Sequence, residues 1–340
     1  MHSFNDYKKI VDTFARMKVG VIADLVADIY IYGRPFKLSR EAPVVIVRYE
    51  GEKMVPGGGA NTVNNMVRLG AKVFPIGMVG EDDAGRQLKV YFARQGVETS
   101  GIFICRERGT ISKTRLLAGD LHASKRQMVR IDREPSAVIY PAQEDKILGY
   151  MEEVNRVVDA WVVSDYGYDM LTPRVLDKVK AFAREKTVVV DSRYRVCDFT
   201  GVTILAPNEQ EAEAASGISI NGEADLLKIG KALMDRTNPQ ALLITRGNQG
   251  MILFEKSGGV EHIPISGANE VTDVTGAGDT VTALLGLALP AGANFSQAAR
   301  LSNYAAGVVV MKNGTATLTR EELLEAIQKE MPKTKGQNPK

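Results

Sequence analysis

Short runs of apolar, largely β-branched residues alternate with helical patterns along most of this chain, beginning at Val19. Their continuous apolar character predicts strands that are buried on both faces. The predicted strands are residues 19–24, 72–79, 160–165, 187–191, 202–207 and 241–245. Thr172 and Pro173 have the signature of a helix start, and Asn208 and Gly217 bound another helix. This alternation predicts an α/β fold with helices on both faces of a mostly parallel sheet.

Two stretches depart from this alternation. Residues 28–56 and 101–132 alternate apolar and polar positions without a helix between their runs, which predicts a small antiparallel β lid. We expect residues 1–18 to form an N-terminal arm and residues 19–330 to form one domain. Residues 331–340 have the composition of a flexible, solvated tail.

The overall charge gives no reason to expect nucleic acid or an anionic membrane as a partner. Lys and Arg number 43 and Asp and Glu number 41, so the formal net charge is only +2. The two cysteines, Cys105 and Cys197, are far apart, which argues against a disulfide framework and favours a reducing cytoplasm. No apolar run approaches the roughly 18 residues of a spanning helix.

Polar residues stand where several predicted strands end. They are Asp24, Asp165, Asp191, Asn208 and Thr245. Taken alone, each of them is more commonly a turn or helix-cap residue than a ligand-binding residue. In open α/β sheets, however, ligands bind at the carboxyl ends of the strands, so five such residues together predict a polar site at one edge.

The most specific segment is DVTGAGDTVTALLGLAL, residues 273–289. It predicts a tight glycine turn that leads into a helix, whose free amides at Gly276, Ala277 and Gly278 would hold the charge of a transferring phosphoryl group. Asp279 would stand beside this anion site as a general base. The alternative is that Asp279 only caps the helix.

A second glycine cluster, PGGGANTVNNMVRLGA, covers residues 56–71 and opens another predicted helix. Its glycines permit close approach of a ligand, and its first turn is rich in amides at Asn61, Asn64 and Asn65. Amides suit sugar hydroxyls because they both donate and accept hydrogen bonds. A plain loop followed by a helix cap is the alternative.

Together the two glycine segments resemble the signatures of the PfkB, or ribokinase-like, carbohydrate kinases. The resemblance covers roughly residues 19–327 and implies a ribokinase-like three-layer sandwich with a mostly parallel central sheet and a small β lid. It also implies an ATP-dependent kinase with an alcohol acceptor. The sequence contains no G-x-x-x-x-G-K-[ST] loop and no G-x-G-x-x-G after the first strand. The absence of both motifs argues against the P-loop and dinucleotide-binding folds.

The resemblance assigns roles to matching positions. It implies that sugar hydroxyls are bound by Asp28, Gly57, Gly58, Asn61 and Asp165. Asn208 and Glu211 match an N-x-x-E pattern that positions Mg²⁺ and phosphate, largely through water, and Mg²⁺ suits such oxygen ligands. Thr245, Gly247, Gly250 and Asn303 match positions near the nucleotide. Without the resemblance, Asn208 is simply a good helix cap, and Thr245 and Gly247 equally suit a hairpin turn.

A phosphorylated acceptor also requires a cation away from the transferring phosphate, and the lid offers several. Lys113 is the preferred candidate and Arg130 the second, although basic residues on a lid are commonly solvated. Some members of the family use a monovalent cation such as K⁺ near the positions of Thr275 and Gly314. An exposed lid edge favours pairing with a second copy, so we expect a homodimer.

Within the family, segments such as SREAPVVIV and SDYGYDML resemble the D-glycero-β-D-manno-heptose 7-phosphate kinases of ADP-heptose synthesis. Two departures, Ile29 and Lys37 at positions where those proteins have Arg, fall near the expected sugar pocket. Alternatives are therefore a kinase for another sugar phosphate or a nucleoside, or a non-catalytic sugar-binding sensor. Related bifunctional proteins add a nucleotidyltransferase domain after the kinase domain, and this chain is too short to contain both. We therefore expect it to perform at most the kinase step.

Overall fold

The computed structural model describes residues 3–119, 125–135, 139, 141–267 and 272–331. Its strands are β1 (Lys18–Ala23), β2 (Leu25–Leu38), β3 (Val45–Gly58), β4 (Lys72–Gly80), β5 (Ile102–Cys105), β6 (Ile111–Ala118), β7 (Arg126–Arg133), β8 (Ala160–Asp165), β9 (Thr187–Ser192), β10 (Ile204–Leu205), β11 (Ala241–Thr245), β12 (Met251–Glu255) and β13 (Val260–Ile263). Its α-helices are α1 (Phe4–Thr13), α2 (Gly59–Arg68), α3 (Asp83–Arg94), α4 (Pro141–Asn155), α5 (Pro173–Phe182), α6 (Glu209–Ser216), α7 (Glu223–Thr237), α8 (Ala277–Ala288), α9 (Phe295–Val309) and α10 (Arg320–Glu330).

The main sheet has the strand order β13-β12-β11-β10-β9-β8-β1-β4-β5 in the described part of the chain. Neighbouring strands from β5 to β11 pair in parallel, and β12 and β13 add an antiparallel edge. All six predicted strands are confirmed, but the run at 202–207 pairs only at Ile204 and Leu205. Pro207 lacks an amide donor, and the Thr203 hydroxyl accepts from the Val188 amide, so the ladder stops on both sides.

The second sheet is the lid, with the strand order β3-β2-β6-β7. The expectation of a purely antiparallel lid was wrong, because β2 and β6 pair in parallel. These two strands are separated along the chain by β3, α2, β4, α3 and β5, so they are not joined as a hairpin. Residues 102–105 do not belong to the lid either: β5 pairs with β4 in the main sheet, where Ile102 and Cys105 are buried.

Two hydrophobic cores lie on opposite faces of the main sheet and confirm the three-layer arrangement. One contains residues of α2, α8, α9 and α10, and the other contains residues of α4, α5 and α7. Every residue of α8 from Asp279 to Ala288 is buried, so this helix lies at the centre of its layer. Both predicted helix ends are confirmed: the Thr172 side chain caps α5 and Gly217 terminates α6.

The two chain ends contribute unequally to the described fold. Within the predicted arm, residues 1–18, α1 buries Tyr7 and Val11 in the same core as α8. The predicted tail, residues 331–340, lies outside the described residues except for Met331. Across the described ranges, the helices fall short of the length and apolar character needed to cross a membrane.

Candidate active site

The start of α8 forms a pocket of free backbone amides. Gly276 caps the helix with φ of 83°, and Thr280 donates the first helical hydrogen bond to its carbonyl at 3.1 Å. The amides of Gly278 and Asp279 therefore have no partner within the helix. The Ala277 amide donates to the Val274 carbonyl at 3.2 Å, so of the three predicted residues it offers the least to a ligand.

The Asp279 carboxylate is buried at 2% exposure, and its two shortest hydrogen bonds come from Tyr166 and Asn61. The Tyr166 hydroxyl donates to Oδ1 at 2.6 Å, and the Asn61 amide donates to Oδ2 at 3.0 Å. The interpretation of Asp279 as a helix cap is wrong, because Gly276 occupies the cap position. Burial raises the pKa of Asp279 to about 7, against the lowering effect of the hydrogen bonds from Tyr166 and Asn61. A carboxyl that titrates near neutrality is suited to general base catalysis.

A central cavity of about 460 Å³ lies at the carboxyl edge of the main sheet. Four of the predicted strand-end residues line it together with Gly278: Asp165, Asp191, Asn208 and Thr245. Asp24 instead supports the adjacent loop, because its Oδ2 accepts the amides of Tyr166 at 2.8 Å and Tyr168 at 3.1 Å. Four of the five predicted strand-end residues therefore lie around one cavity at this edge of the sheet.

An apolar cavity of about 430 Å³ adjoins the central cavity, and Thr245 and Gly278 line both. Three further predicted residues line it: Gly247, Gly250 and Asn303. The hairpin interpretation is also correct, since a short turn at Gly247–Gln249 joins the antiparallel strands β11 and β12. Asn303 donates to the Pro264 carbonyl at 2.8 Å, which fixes the amide at the cavity wall.

Asn208 and Glu211 form a capping box at the start of α6. The Asn208 side chain accepts the Glu211 amide at 2.9 Å, and Glu211 Oε2 accepts the Asn208 amide at 2.9 Å. The cap interpretation of Asn208 is therefore confirmed. Both residues also line the central cavity beside Asp191.

The acidic groups of the central cavity fit a divalent cation. Burial raises the pKa of Glu211, and burial together with Glu211 and Asp279 raises the pKa of Asp191. This crowding of carboxyl oxygens is what a hard cation would relieve. Within the described residues no cluster of three or more acidic, His or Cys side chains could hold a metal directly. Binding of Mg²⁺ through water and phosphate oxygens fits this donor set.

The lid side of the site is organised by Asp28. This carboxylate is 3% exposed, forms an ion pair with Arg115 at 2.7 Å and accepts the Thr315 hydroxyl. A Cβ on Gly57 would come within 2.5 Å of the Asp28 carboxyl carbon, so only glycine allows this packing. Gly58 caps α2 with φ of 49°. Sequence reasoning favoured Lys113 and did not recognise Arg115 as the partner of Asp28.

Two predicted sugar-binding residues have other contacts in the structure. Asn61 is fully buried and directs its amide to Asp279. Asp165 accepts the Ser192 hydroxyl at 2.6 Å and the Gly167 amide at 3.0 Å, and so shapes the loop after β8. Lys37 is exposed on β2, nine residues after Asp28 along the strand, and its place near the sugar pocket stays a prediction.

A lid cavity of about 390 Å³ is lined by Lys113, Arg130 and Arg193, and it shares Tyr166 and Arg193 with the central cavity. Burial lowers the pKa of Lys113, and the nearby charges of Arg193 and Arg130 lower it further, against the opposing effect of Asp28. Arg130 forms an exposed ion pair with Asp132. The same cavity is also lined by Asp132, Glu134 and Asp169, so its cations lie beside carboxylates.

Tyr166 and Arg193 are site residues that sequence reasoning did not single out. Tyr166 directly follows the predicted strand-end residue Asp165, and Arg193 directly follows β9. Their positions just beyond strand ends were the available signal. The two segments predicted near a monovalent cation are adjacent, because Asp273 accepts the amides of Thr275 at 2.9 Å and Gly314 at 3.0 Å.

The fold is that of the ribokinase-like α/β proteins. Arabidopsis thaliana ribokinase, complexed with ribose and ATP, superposes with a TM-score of 0.72 at 19% identity over 92% of this chain and 98% of that chain. Phosphofructokinase-2 from Escherichia coli, in complex with potassium, superposes with a TM-score of 0.74 at 14% identity over 92% and 98%. At these identities the likeness concerns the fold alone.

Residues 18–322 match the family described as "pfkB family carbohydrate kinase", and the chain belongs to this family. The bifunctional protein HldE of Geobacter metallireducens is 44% identical over 307 residues, which are 89% of this chain. The matched region is 61% of that protein, so the chain spans about three fifths of this relative. The predicted membership in the PfkB family is confirmed.

Proposed function

We propose that this carbohydrate kinase transfers the γ-phosphoryl group of ATP to a hydroxyl of a phosphorylated sugar. The observation that carries the proposal is the position of Gly278, which lines both the central and the apolar cavity, directly before the buried carboxylate of Asp279. The apolar cavity suits a purine base. The start of α8 suits the phosphates, because free amides and the helix dipole both favour negative charge.

The proposed reaction uses the remaining accepting position on Asp279. Each carboxylate oxygen accepts two hydrogen bonds, and Oδ2 receives one from Asn61, so the acceptor hydroxyl binds at Oδ2. As its oxygen bonds to the γ-phosphorus and the bond to the β-phosphate oxygen breaks, the proton passes to Asp279 and ADP leaves. The amides of Gly278 and Asp279 stabilise the charge on the transferring group. Mg²⁺ beside Asn208 and Glu211 would neutralise phosphate charge.

The finer proposal is that the acceptor is D-glycero-β-D-manno-heptose 7-phosphate and the product its 1,7-bisphosphate. The resemblance of several segments to heptose 7-phosphate kinases and the identity to bifunctional protein HldE support this choice. Lys113 and Arg193 in the lid cavity supply the cations that the distal phosphate requires. K⁺ beside Thr275 and Gly314 belongs to the same proposal, as does a cytoplasmic location, which fits the free thiols of Cys105 and Cys197.

The direct test is ATP consumption by the purified chain with a panel of acceptors: heptose 7-phosphate, fructose 6-phosphate, ribose and a nucleoside. We expect the highest kcat/KM with heptose 7-phosphate. Faster turnover of another acceptor would contradict the choice of heptose 7-phosphate as the substrate, but it would leave the proposed class of reaction unchanged. Sugar binding without ATP turnover for any acceptor would instead identify a sensor and reject the kinase proposal.

Lys113→Met is expected to raise KM for the phosphorylated acceptor by about tenfold to hundredfold, because a charge-assisted hydrogen bond contributes roughly 1.5–3 kcal/mol. KM for ATP should stay unchanged. The matched control is Lys53→Met, which removes an exposed lysine from lid strand β3. Steady-state kinetics with each substrate varied in turn measures both constants. An unchanged KM for the acceptor would exclude Lys113 from the distal phosphate site.

We also propose that the protein is a homodimer paired through the lid. The lid exposes large apolar side chains, among them Leu38 at 67%, Tyr49 at 65% and Ile131 at 65%, which a second copy would cover. Light scattering of the purified protein is expected to give twice the mass of one chain. A mass of a single chain at micromolar concentration would contradict this proposal.

A further inference from the structure

Tyr166 stands at the junction of the central cavity and the lid cavity and lines both. Its hydroxyl donates to Asp279 Oδ1 at 2.6 Å, the shorter of the two hydrogen bonds from Asn61 and Tyr166 that hold this carboxylate. The Lys113 ammonium lies 5.6 Å from the centre of its ring. The residue therefore connects the proposed base to the proposed phosphate-binding side of the lid.

Buried groups fix the backbone on both sides of Tyr166. Asp24 accepts the amides of Tyr166 and Tyr168, and Asp165 accepts the amide of Gly167. The buried guanidinium of Arg108 donates to the Tyr168 carbonyl. Because these contacts all involve the main chain, they hold the loop after β8 in place independently of any bound ligand. The Tyr166 hydroxyl is thus directed at Asp279 by a preorganised loop.

We propose that Tyr166 is a positioning residue for the proposed phosphoryl transfer: its hydroxyl holds Asp279 by Oδ1, so that Oδ2 faces the acceptor hydroxyl. Thr62 also approaches Oδ1, but only at 3.5 Å, so Tyr166 supplies the strong contact to that oxygen. Removal of the hydroxyl takes away this contact, which favours the ionised carboxylate, while Asn61 keeps its contact with Oδ2. This inference rests on the proposed role of Asp279 and assigns a distinct role to a neighbouring side chain.

The electrostatic surroundings allow Tyr166 to remain a donor throughout the working pH range. Burial and the nearby charges of Asp279 and Asp191 raise the pKa of Tyr166 well above its usual value, so the hydroxyl stays protonated. It therefore favours the ionised form of Asp279.

Several groups from different elements act on Asp279 together. Asp28 on β2 raises its pKa, while Lys113 on β6, Asn61 on α2 and Tyr166 lower it. Asp191 on β9 is a further nearby acid. Loss of the Tyr166 hydroxyl removes a lowering contribution and leaves the others in place. The base then needs a higher pH to ionise, so activity must shift toward alkaline pH.

The test is Tyr166→Phe, which keeps the ring and removes only the hydroxyl. We expect the acid limb of kcat against pH to move up by about one pH unit, the order expected when a hydrogen bond to a charged group is lost. The kcat of the variant should be about tenfold lower than that of the wild type on the acid side of the profile, and only slightly lower on the alkaline side. Tyr150→Phe, on α4 and away from the three cavities, is the matched control and should leave the profile unchanged.

A second variant and a readout that needs no substrate separate this inference from the proposed function. A 3-fluorotyrosine at position 166 keeps the fold and donates more strongly, so it should move the acid limb in the opposite direction. Infrared titration of the free protein, with Asp279→Asn to identify its carboxyl band, should show Asp279 protonated to a higher pH in Tyr166→Phe. Unchanged titration, or an equal loss of kcat at all pH values, would overturn the role of Tyr166. An inactive wild type that still shows the shifted titration would overturn only the kinase proposal.

Discussion

Asp279→Asn is expected to lower kcat by roughly 10²- to 10⁴-fold, the usual contribution of a positioned general base. The amide cannot take the proton of the acceptor hydroxyl, whereas the free amides at the start of α8 remain in place to hold the phosphates. ATP affinity should therefore change little. Steady-state kinetics with the best acceptor gives kcat, and calorimetric titration with ATP gives the affinity. Retention of full activity would remove Asp279 as the base.

The thermal stability of Asp279→Asn shows whether a loss of activity comes from the loss of the base or from unfolding. The folded pKa of about 7 exceeds the ordinary value of 3.8, so the folded state holds a proton more tightly than the unfolded chain. The contribution of Asp279 to the stability of the wild type is therefore lost as pH rises from about 4 to 7, and the variant lacks this contribution. At pH 8 Asp279→Asn should unfold at a higher temperature than the wild type. Asp177→Asn, an exposed change on α5, is the control and should alter neither activity nor the pH dependence of unfolding.

The main sheet was predictable because its signals are local. Each buried strand is a short apolar run, and residues such as Thr172 and Gly217 mark helix ends within one turn. The lid was less predictable, because two helices and three strands lie between β2 and β6, which pair in parallel. A run of alternating residues indicates a strand but does not identify its partner.

The candidate site likewise contains residues that the local sequence predicted and residues that it did not. Asp279 and the glycines before it were predictable because one short segment contains both the turn and the base. Tyr166 and Arg115 were not, because each has its role through a residue distant in sequence. Tyr166 is 113 positions from Asp279, and Arg115 is 87 positions from Asp28. Such contacts exist only after the lid and the strand-end loops have packed around the carboxylates.

Gly276→Ala is expected to reduce kcat by about 10²-fold or more, the order seen when one anion-binding donor is lost. Two effects combine at this position. The φ of 83° is a left-handed conformation that costs a residue with a side chain roughly 1–2 kcal/mol. The added Cβ would also lie 2.6 Å from the Asn61 amide nitrogen, so either the helix start or Asn61 must move. Both movements disturb Asp279, since Asn61 donates to its carboxylate.

Gly292→Ala separates these two effects. Gly292 has φ of 94°, and a Cβ there would meet no atom within 4 Å, so this variant carries the backbone strain without the clash. Gly276→Ala should therefore lose at least as much stability as Gly292→Ala in thermal unfolding, and only Gly276→Ala should lose kcat. Equal losses of activity would mean that strain alone is responsible. Full activity of Gly276→Ala would mean that the start of α8 tolerates displacement, which a rigid cradle for a transferring phosphoryl group cannot do.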